Sequence, residues 1–349
     1  MSTTFTVIPE ISLADWTGSG ADQDVFAERL TAICHDIGFF SLVDHGVPHE
    51  FLDRYFGLLE AFFRLPEAVK ATIDKRNSPH FRGWERVGAE LTDNRTDYRE
   101  QLDVSTENQP YESDATPAYL RLDGPNQWLD ESLLPGFHAV VDEFFVRMSA
   151  VANAVMAAMA RGLGLVDDHF REVFGQRPLS LAKLISYPPT PVGEAGVNAH
   201  HDAGFLTVLA QHRVGGLQVL TPDDVWIDVP PQRGAFVINL GEMLQAMTGN
   251  YFVATTHRVV ATEARFSTAY FHGPDLRTSL DPLELDERFT DALAASPRHA
   301  NAGFMAKRDE LLAGIGGTAS TSAPVYGEQL WNYYRRSYPD NVRIHHPND

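Results

Sequence analysis

The sequence predicts an α+β protein with a double-stranded β-helix, or jelly-roll, core and flanking helices. Short alternating runs between residues 181 and 271, parted by Gly215-Gly216 and Pro222-Asp223-Asp224, read as antiparallel strands joined by turns. Three stretches ahead of them carry apolar residues at helical spacing. Potential metal ligands and an anion-binding pair lie inside the strand-like runs, from Asn198 to Phe271.

In chain order, residues 6–13 read as extended. A helix then begins at Asp22 and Asp24, with Phe26, Leu30, Ile33, Cys34 and Ile37 on one stripe, and Gly38 ends it. A strand at 39–44 leads into the turn His45-Gly-Val-Pro48. A second helix carries Leu52, Tyr55, Phe56, Leu59, Phe62 and Phe63 inward until Leu65-Pro66 stops it. Residues 81–104 are polar with scattered aromatics, and 110–135 are loop-rich. The long helix that follows has Val141, Phe144, Met148, Val151, Val155, Met156 and Met159 on one face and closes at Gly162-Leu-Gly164; its methionines read as core packing. Strands are expected at 181–187, 206–211, 217–220, 225–229, 235–240 and 265–271. The Gly/Ser/Thr-rich stretch 313–324 reads as flexible, and a C-terminal helix starts near Tyr326. No repeat divides the chain: 1–110, a helical and strand region, and 111–349, the jelly roll with its C-terminal helix, are expected to form one unit.

A chain of 349 residues with 44% hydrophobic content is long enough for a full core. The formal charge of −19 argues against nucleic acid, whose binding rests on clustered Lys and Arg. The single cysteine, Cys34, forms no internal disulfide and sits on the apolar stripe of the first helix, so a buried thiol in a reducing cytoplasm is expected. No signal-like start and no apolar run of the membrane-spanning kind is apparent.

The chemistry lies in Asn198-Ala-His-His-Asp-Ala-Gly-Phe-Leu-Thr-Val-Leu209. Side chains alternate along a strand, so His200 and Asp202 share a face while His201 points the other way. His257, further along, is far enough away for intervening strands to return it to the first pair. Two histidines and one carboxylate form the facial triad of non-haem Fe(II) oxygenases, which leaves positions open for substrate and O₂. Arg265-Phe-Ser267 puts a guanidinium and a hydroxyl on one strand face, a pairing suited to a carboxylate.

His-x-Asp, the distant His and Arg-x-Ser together resemble the C-terminal half of the iron- and 2-oxoglutarate-dependent dioxygenases of the isopenicillin N synthase-like superfamily. Gly38-Phe-Phe-Ser-Leu-Val-Asp-His-Gly-Val-Pro48 and Phe62-Phe-Arg-Leu-Pro-Glu-Ala-Val-Lys70 resemble its N-terminal region, which makes His45 part of a turn and not of the triad. The resemblance implies Fe(II) on His200, Asp202 and His257, with 2-oxoglutarate as cosubstrate, its far carboxylate held by Arg265, Ser267 and Tyr187. It also implies decarboxylation to succinate and CO₂ coupled to hydroxylation of a small molecule; from the charge and the lack of a membrane-spanning run, neither nucleic acid nor membrane is expected as partner. Desaturation, ring closure, ethylene formation and a 2-oxoglutarate-independent oxidase remain open, as does, in another class, a non-catalytic binding module. In members that take polar substrates the 81–104 stretch covers the iron mouth, so Arg86, Glu90 and Thr92 stand as substrate candidates; a solvated loop with satisfied ion pairs is the alternative. The C-terminal helix resembles that of a bacterial branch related to ethylene-forming enzymes, where the residue matching Arg336 faces substrate; a surface Arg is the alternative. The sequence departs from the pattern at His201, usually Thr or Ser, and at Glu242, where Asp is commoner.

Overall fold

The computed structural model describes residues 5–92, 95–294 and 324–347. Its strands, in chain order, are β1 (Glu10–Ser12), β2 (Phe39–Val43), β3 (Gly83–Glu85), β4 (Leu91–Thr92), β5 (Arg95–Thr96), β6 (Glu100–Ser105), β7 (Leu181–Tyr187), β8 (Val197–His200), β9 (Leu206–Gln211), β10 (Leu217–Leu220), β11 (Trp226–Asp228), β12 (Phe236–Leu240), β13 (His257–Val259) and β14 (Arg265–His272). The helices are α1 (Gly20–Asp36), α2 (His49–Arg64), α3 (Glu67–Lys70), α4 (Phe137–Gly162), α5 (His169–Phe174), α6 (Glu242–Met247), α7 (Glu287–Ala294), α8 (Tyr326–Ser337) and α9 (Pro339–His345).

Two sheets face each other in a jelly roll. The larger runs β1-β2-β12-β9-β14-β7-β6-β3 and the smaller β11-β10-β13-β8. Both edges of the larger sheet come from the first 110 residues: β1 pairs in parallel with β2, which joins β12, while β3 joins β6, which joins β7. Strand alternation then sorts the side chains. Phe40, Leu42, Leu184, Val208, Ile238 and Tyr270 face outward into a core shared with α1, α2 and α4. Ile185, Tyr187, Leu209, Val237, Val197, Leu217 and Val259 face inward between the sheets.

The helices follow their local chemistry. Ser19 caps α1 in a reciprocal box with Asp22, so α1 starts two residues before the expected Asp22. α1 meets α4 closely enough that a Cβ on Gly162 would stand 1.9 Å from Thr31 Oγ1. α2 lies over the outer face of the large sheet, where Tyr55 Oη and Thr268 Oγ1 are 2.9 Å apart. By length and composition alone α4 is apolar enough to cross a membrane, but half of its most apolar window is buried inside the fold. Cys34 is buried, and burial raises its thiol well above its ordinary pKa. His45 stacks on Phe236 at 4.0 Å and belongs to its turn. The Gly/Ser/Thr-rich stretch expected to be flexible lies, apart from Pro324, outside the described residues.

Candidate active site

β8 and β13 bring His200 and His257 opposite each other, with ring centroids 4.3 Å apart. The strand ends at His200, so Asp202 lies in the turn that follows and not on the strand from which its direction was inferred. The start of α6 holds that turn: Gly241 N donates to Phe205 O at 2.9 Å, Glu242 N to Asp202 O at 2.8 Å and Met243 N to Gly204 O at 3.1 Å. Residue 241 is glycine for a steric reason, since a Cβ there would sit 2.1 Å from Gly204 O.

His200, Asp202 and His257 each offer one ligand atom, all within 4.8 Å of one another. His200 Nδ1 lies 2.8 Å from Asn198 O and His257 Nδ1 lies 3.1 Å from Thr255 O, so each ring turns Nε2 inward. Those nitrogens are 3.5 and 3.7 Å from Asp202 Oδ1. The other carboxylate oxygen, Oδ2, accepts from Thr207 Oγ1 at 2.5 Å and Asn239 Nδ2 at 2.7 Å. Asp202 is therefore split by function, one oxygen fixed to the protein and one presented with the two imidazoles. Burial disfavours its charge, but His257, His200 and Thr207 outweigh that and hold it well below the usual carboxylate range. Burial, with His200 beside it, pushes His257 down to about 4. Burial also opposes charge on His200, but the neighbouring Asp202 raises its pKa. An ionised carboxylate and a neutral imidazole are the forms a divalent cation needs. Two imidazoles and one carboxylate with open positions suit Fe(II).

His201 points away: its Nε2 lies 2.9 Å from Thr256 Oγ1 and its Nδ1 3.7 Å from Glu242 Oε1.

A single cavity continues from these ligands between the sheets, and Tyr187, Arg265 and Ser267 line it. Arg265 is 1% exposed. Its Nη1 donates to Ser267 Oγ at 2.9 Å and its Nη2 to Gln211 Oε1 at 3.0 Å, while Nε is buried without a partner among the described residues. Tyr187, opposite Arg265 across the β7/β14 ladder, holds its ring 4.8 Å from the guanidinium. No carboxylate among the described residues pairs with this cation, so the cavity holds a buried positive charge suited to the carboxylate of 2-oxoglutarate. Gln211 was missed in the sequence; its inward position on β9 was the available signal.

Arg99 and Lys183 also line the cavity and were also missed. Lys183 was legible in principle, because a charge at an inward position of an otherwise apolar strand needs a partner. That partner is Glu90. Lys183 Nζ reaches its two oxygens at 2.7 and 2.9 Å, Arg99 Nη2 reaches Oε2 at 2.7 Å, and the hydroxyls of Tyr333 and Tyr338 donate to Oε1 at 3.0 and 3.2 Å. The 81–104 stretch and the C-terminal helices thus meet on one carboxylate. Thr92 donates to Asp97 Oδ2 at 2.7 Å, and Asp97 Oδ1 accepts from Asn198 N and Nδ2, fastening the β4–β5 hairpin beside the iron strand. Arg86 and Arg336 are exposed and are not among the cavity-lining residues, so the two surface cations expected over the mouth are replaced there by Arg99 and Lys183. Among the described residues, Arg336 Nε donates to Asn332 O, at 3.3 Å.

Fold and ligand set together define a mononuclear non-haem iron oxygenase. Residues 8–131 match the model of the non-haem dioxygenase N-terminal region, described from morphine synthesis, and residues 176–274 match that of the 2OG-Fe(II) oxygenase superfamily. The chain is 33% identical over 280 residues to the 2-oxoglutarate-dependent dioxygenase frbJ of Dothideomycetidae sp. (strain 11243), covering 77% of this chain and 74% of that protein. It is 31% identical over 288 residues to jasmonate-induced oxygenase 2 of Arabidopsis thaliana, covering 80% and 74%. Among solved structures, JOX2 in complex with 2OG, Fe and JA superposes with a TM-score of 0.64 at 27% identity, covering 80% of this chain and 78% of that one. A putative 2OG-Fe(II) oxygenase family protein from Caulobacter crescentus shares the fold, with a TM-score of 0.72 at 24% identity over 95% and 99%. The chain belongs to the 2OG-Fe(II) oxygenase superfamily. It is an Fe(II)- and 2-oxoglutarate-dependent dioxygenase, with its iron site at His200, Asp202 and His257.

Proposed function

We propose that this oxygenase hydroxylates a C–H bond of a small molecule, and that Arg265, Ser267 and Tyr187 receive the far carboxylate of 2-oxoglutarate. The observation that carries this is Arg265, a fully buried guanidinium with no acidic partner among the described residues, in the same cavity as the iron ligands. When bound, iron and 2-oxoglutarate supply an O₂-derived oxidant together with succinate and CO₂. The protein's part is positional. Thr207 and Asn239 fix Asp202, the backbone oxygens of Asn198 and Thr255 orient the imidazoles, and the apolar walls from Leu209, Leu217 and Val259 keep water from the reacting end. The 81–104 stretch and α8 bound the substrate side in this reading, as binding residues commonly lie on segments over a rigid scaffold.

Ethylene formation and the bacterial branch rest on Arg336 facing substrate; because that side chain is exposed, hydroxylation is the outcome we favour. The molecule is placed in the cytoplasm, where a reducing medium keeps iron ferrous and Cys34 a thiol. With a formal charge of −19, neither nucleic acid nor an anionic membrane is a partner. The test is succinate release from 2-oxoglutarate under Fe(II) and O₂, compared between the wild type and Arg265→Leu. An unchanged 2-oxoglutarate dependence in the variant, or full activity without the cosubstrate, overturns the assignment.

A further inference from the structure

Arg99 stands in the iron cavity with part of its fork unused. It is 8% exposed, and only its Nη2 is engaged by described side chains, at 2.7 Å from Glu90 and 3.2 Å from Asp97. Its Nε is buried with no hydrogen-bond partner among the described residues. Nη1, unengaged by the described side chains and not among the fully enclosed atoms, is the part of the fork left for an acceptor in the cavity.

The charge around it restricts what the acceptor is. Lys75, Arg99 and Lys183 face Glu85, Glu90, Asp97 and Asp103, three cations against four carboxylates in one buried group. Burial raises the Glu85 pKa, and whatever its charge the group holds no excess of cations. An incoming carboxylate would add a buried negative charge with no free cation to meet it, unlike the situation at Arg265. An incoming amine would find no free acceptor at Glu90, whose oxygens already take two Lys183 contacts, one from Arg99 and two from tyrosine hydroxyls. Along the strands, Lys183 lies opposite Ala269, with Ile185 and Phe271 adjacent on the same wall, so the surface beyond the donor is apolar.

We propose that Arg99 is a substrate-binding residue and that it receives a neutral carbonyl-type oxygen, as in an amide, lactam or ketone, on a molecule with an apolar body. Glu90 acts through Arg99 as a positioning residue. The inference rests on the oxygenase reading and deepens it by naming the class of primary substrate.

The test uses three probes built on one ring, benzamide, benzoate and benzylamine, added anaerobically to protein loaded with Fe(II) and 2-oxoglutarate. Binding is read from the change in the visible charge-transfer band and, independently, by equilibrium dialysis. Benzamide is expected to bind at least tenfold more tightly than the other two. Arg99→Lys, which keeps a cation for Glu90 but lacks Nη1 and the planar fork, is expected to lose that preference at least tenfold with little change in its thermal unfolding midpoint. Should Arg99→Lys fail to fold, Arg99→Gln, which retains a donor for Glu90, takes its place. Tighter binding of benzoate or benzylamine overturns the proposal, as does benzamide binding that ignores the substitution, or no binding by any probe. If 2-oxoglutarate gives no band with Fe(II) in the wild type, the cosubstrate reading has failed instead, and dialysis of benzamide against wild type and variant still decides the role of Arg99.

Discussion

Two buried arginines share one cavity and are treated in opposite ways by the chain. Arg99 is met by Glu90 and Asp97, carboxylates that the fold itself supplies. Arg265 is met by a hydroxyl, an amide and a tyrosine ring, with no carboxylate among the described residues. A buried cation that the protein neutralises has only a neutral acceptor's place left beside it; one that it leaves without an anion marks where a ligand's negative charge belongs. The same contrast separates the carboxylates. Both oxygens of Glu90 are engaged, whereas Asp202 keeps Oδ1 directed at the imidazole nitrogens.

The contrast breaks most severely at Asp202. Asp202→Ala removes the anionic ligand, so anaerobic Fe(II) titration should show no tight site and succinate release should fall to background, with the far-ultraviolet circular dichroism unchanged. Glu90→Gln acts on the scaffold side. Removing one partner of a buried ionic network costs about 3–5 kcal/mol, and this should appear as a lower denaturation midpoint. It should also change the acid limb. Arg99 and Lys183 overcome the burial of Glu90 and depress its pKa well below its ordinary value. Its stabilisation is therefore complete above the unfolded carboxyl range, about pH 4.3, and is lost as pH falls towards the folded pKa. In Glu90→Gln that part of the acid dependence should be missing.

Arg265→Leu tests the ligand side. Truncating one partner of a buried charge pair costs about 2–5 kcal/mol, so the KM for 2-oxoglutarate should rise on the order of 10²-fold or more, with less loss of stability than in Glu90→Gln. Equal loss of stability in the two variants would erase the distinction between scaffold and ligand cation. Asn239→Ala leaves Asp202 Oδ2 with Thr207 alone, and loss of such an outer-shell partner typically costs about 10–100-fold in metal affinity; competition with a chelator of known affinity reads this directly. Arg336→Ala should be the weakest change, within about 0.5 kcal/mol in stability and silent in 2-oxoglutarate turnover, because the side chain is exposed and, among the described residues, donates to a backbone oxygen of its own helix.

Much of this was legible from residue order alone. The strands at 181–187, 206–211 and 217–220 are bounded as alternation and turn residues indicate, because each is a continuous local pattern. His200 and His257 were legible because ligand chemistry restricts residue type. Asp202 was reached by an argument that does not describe its backbone: the chain leaves the strand at His200, and the α6 N-terminus carries the carboxylate to the same point. Arg99, Lys183, Asn239 and Gln211 were not found. Each is an ordinary polar residue until a partner distant in sequence is set beside it, as Asn239 is beside Thr207 by the β12/β9 register. Arg86 and Arg336 show the converse, since charge near an expected mouth says nothing about which way a side chain turns.

The origin of both outer edges of the large sheet in the first 110 residues has a consequence for synthesis on the ribosome. Leu42 pairs with Phe236, and Val104 with Ala182. The two border pairs, β1 with β2 and β3 with β6, leave the exit tunnel first, yet the strands that β2 and β6 must join do not exist until much later. For β2 the wait is about 190 residues, roughly 10–40 s at ~5–20 residues per second. During that interval α1 and α2 are free to form, but Phe39-Phe40 and the apolar face of α2 have nothing to cover them. The nascent chain is therefore expected to need a chaperone most while its N-terminal third is already outside and β12 is still being made, and a stall within that window should yield more aggregate than a stall after residue 240.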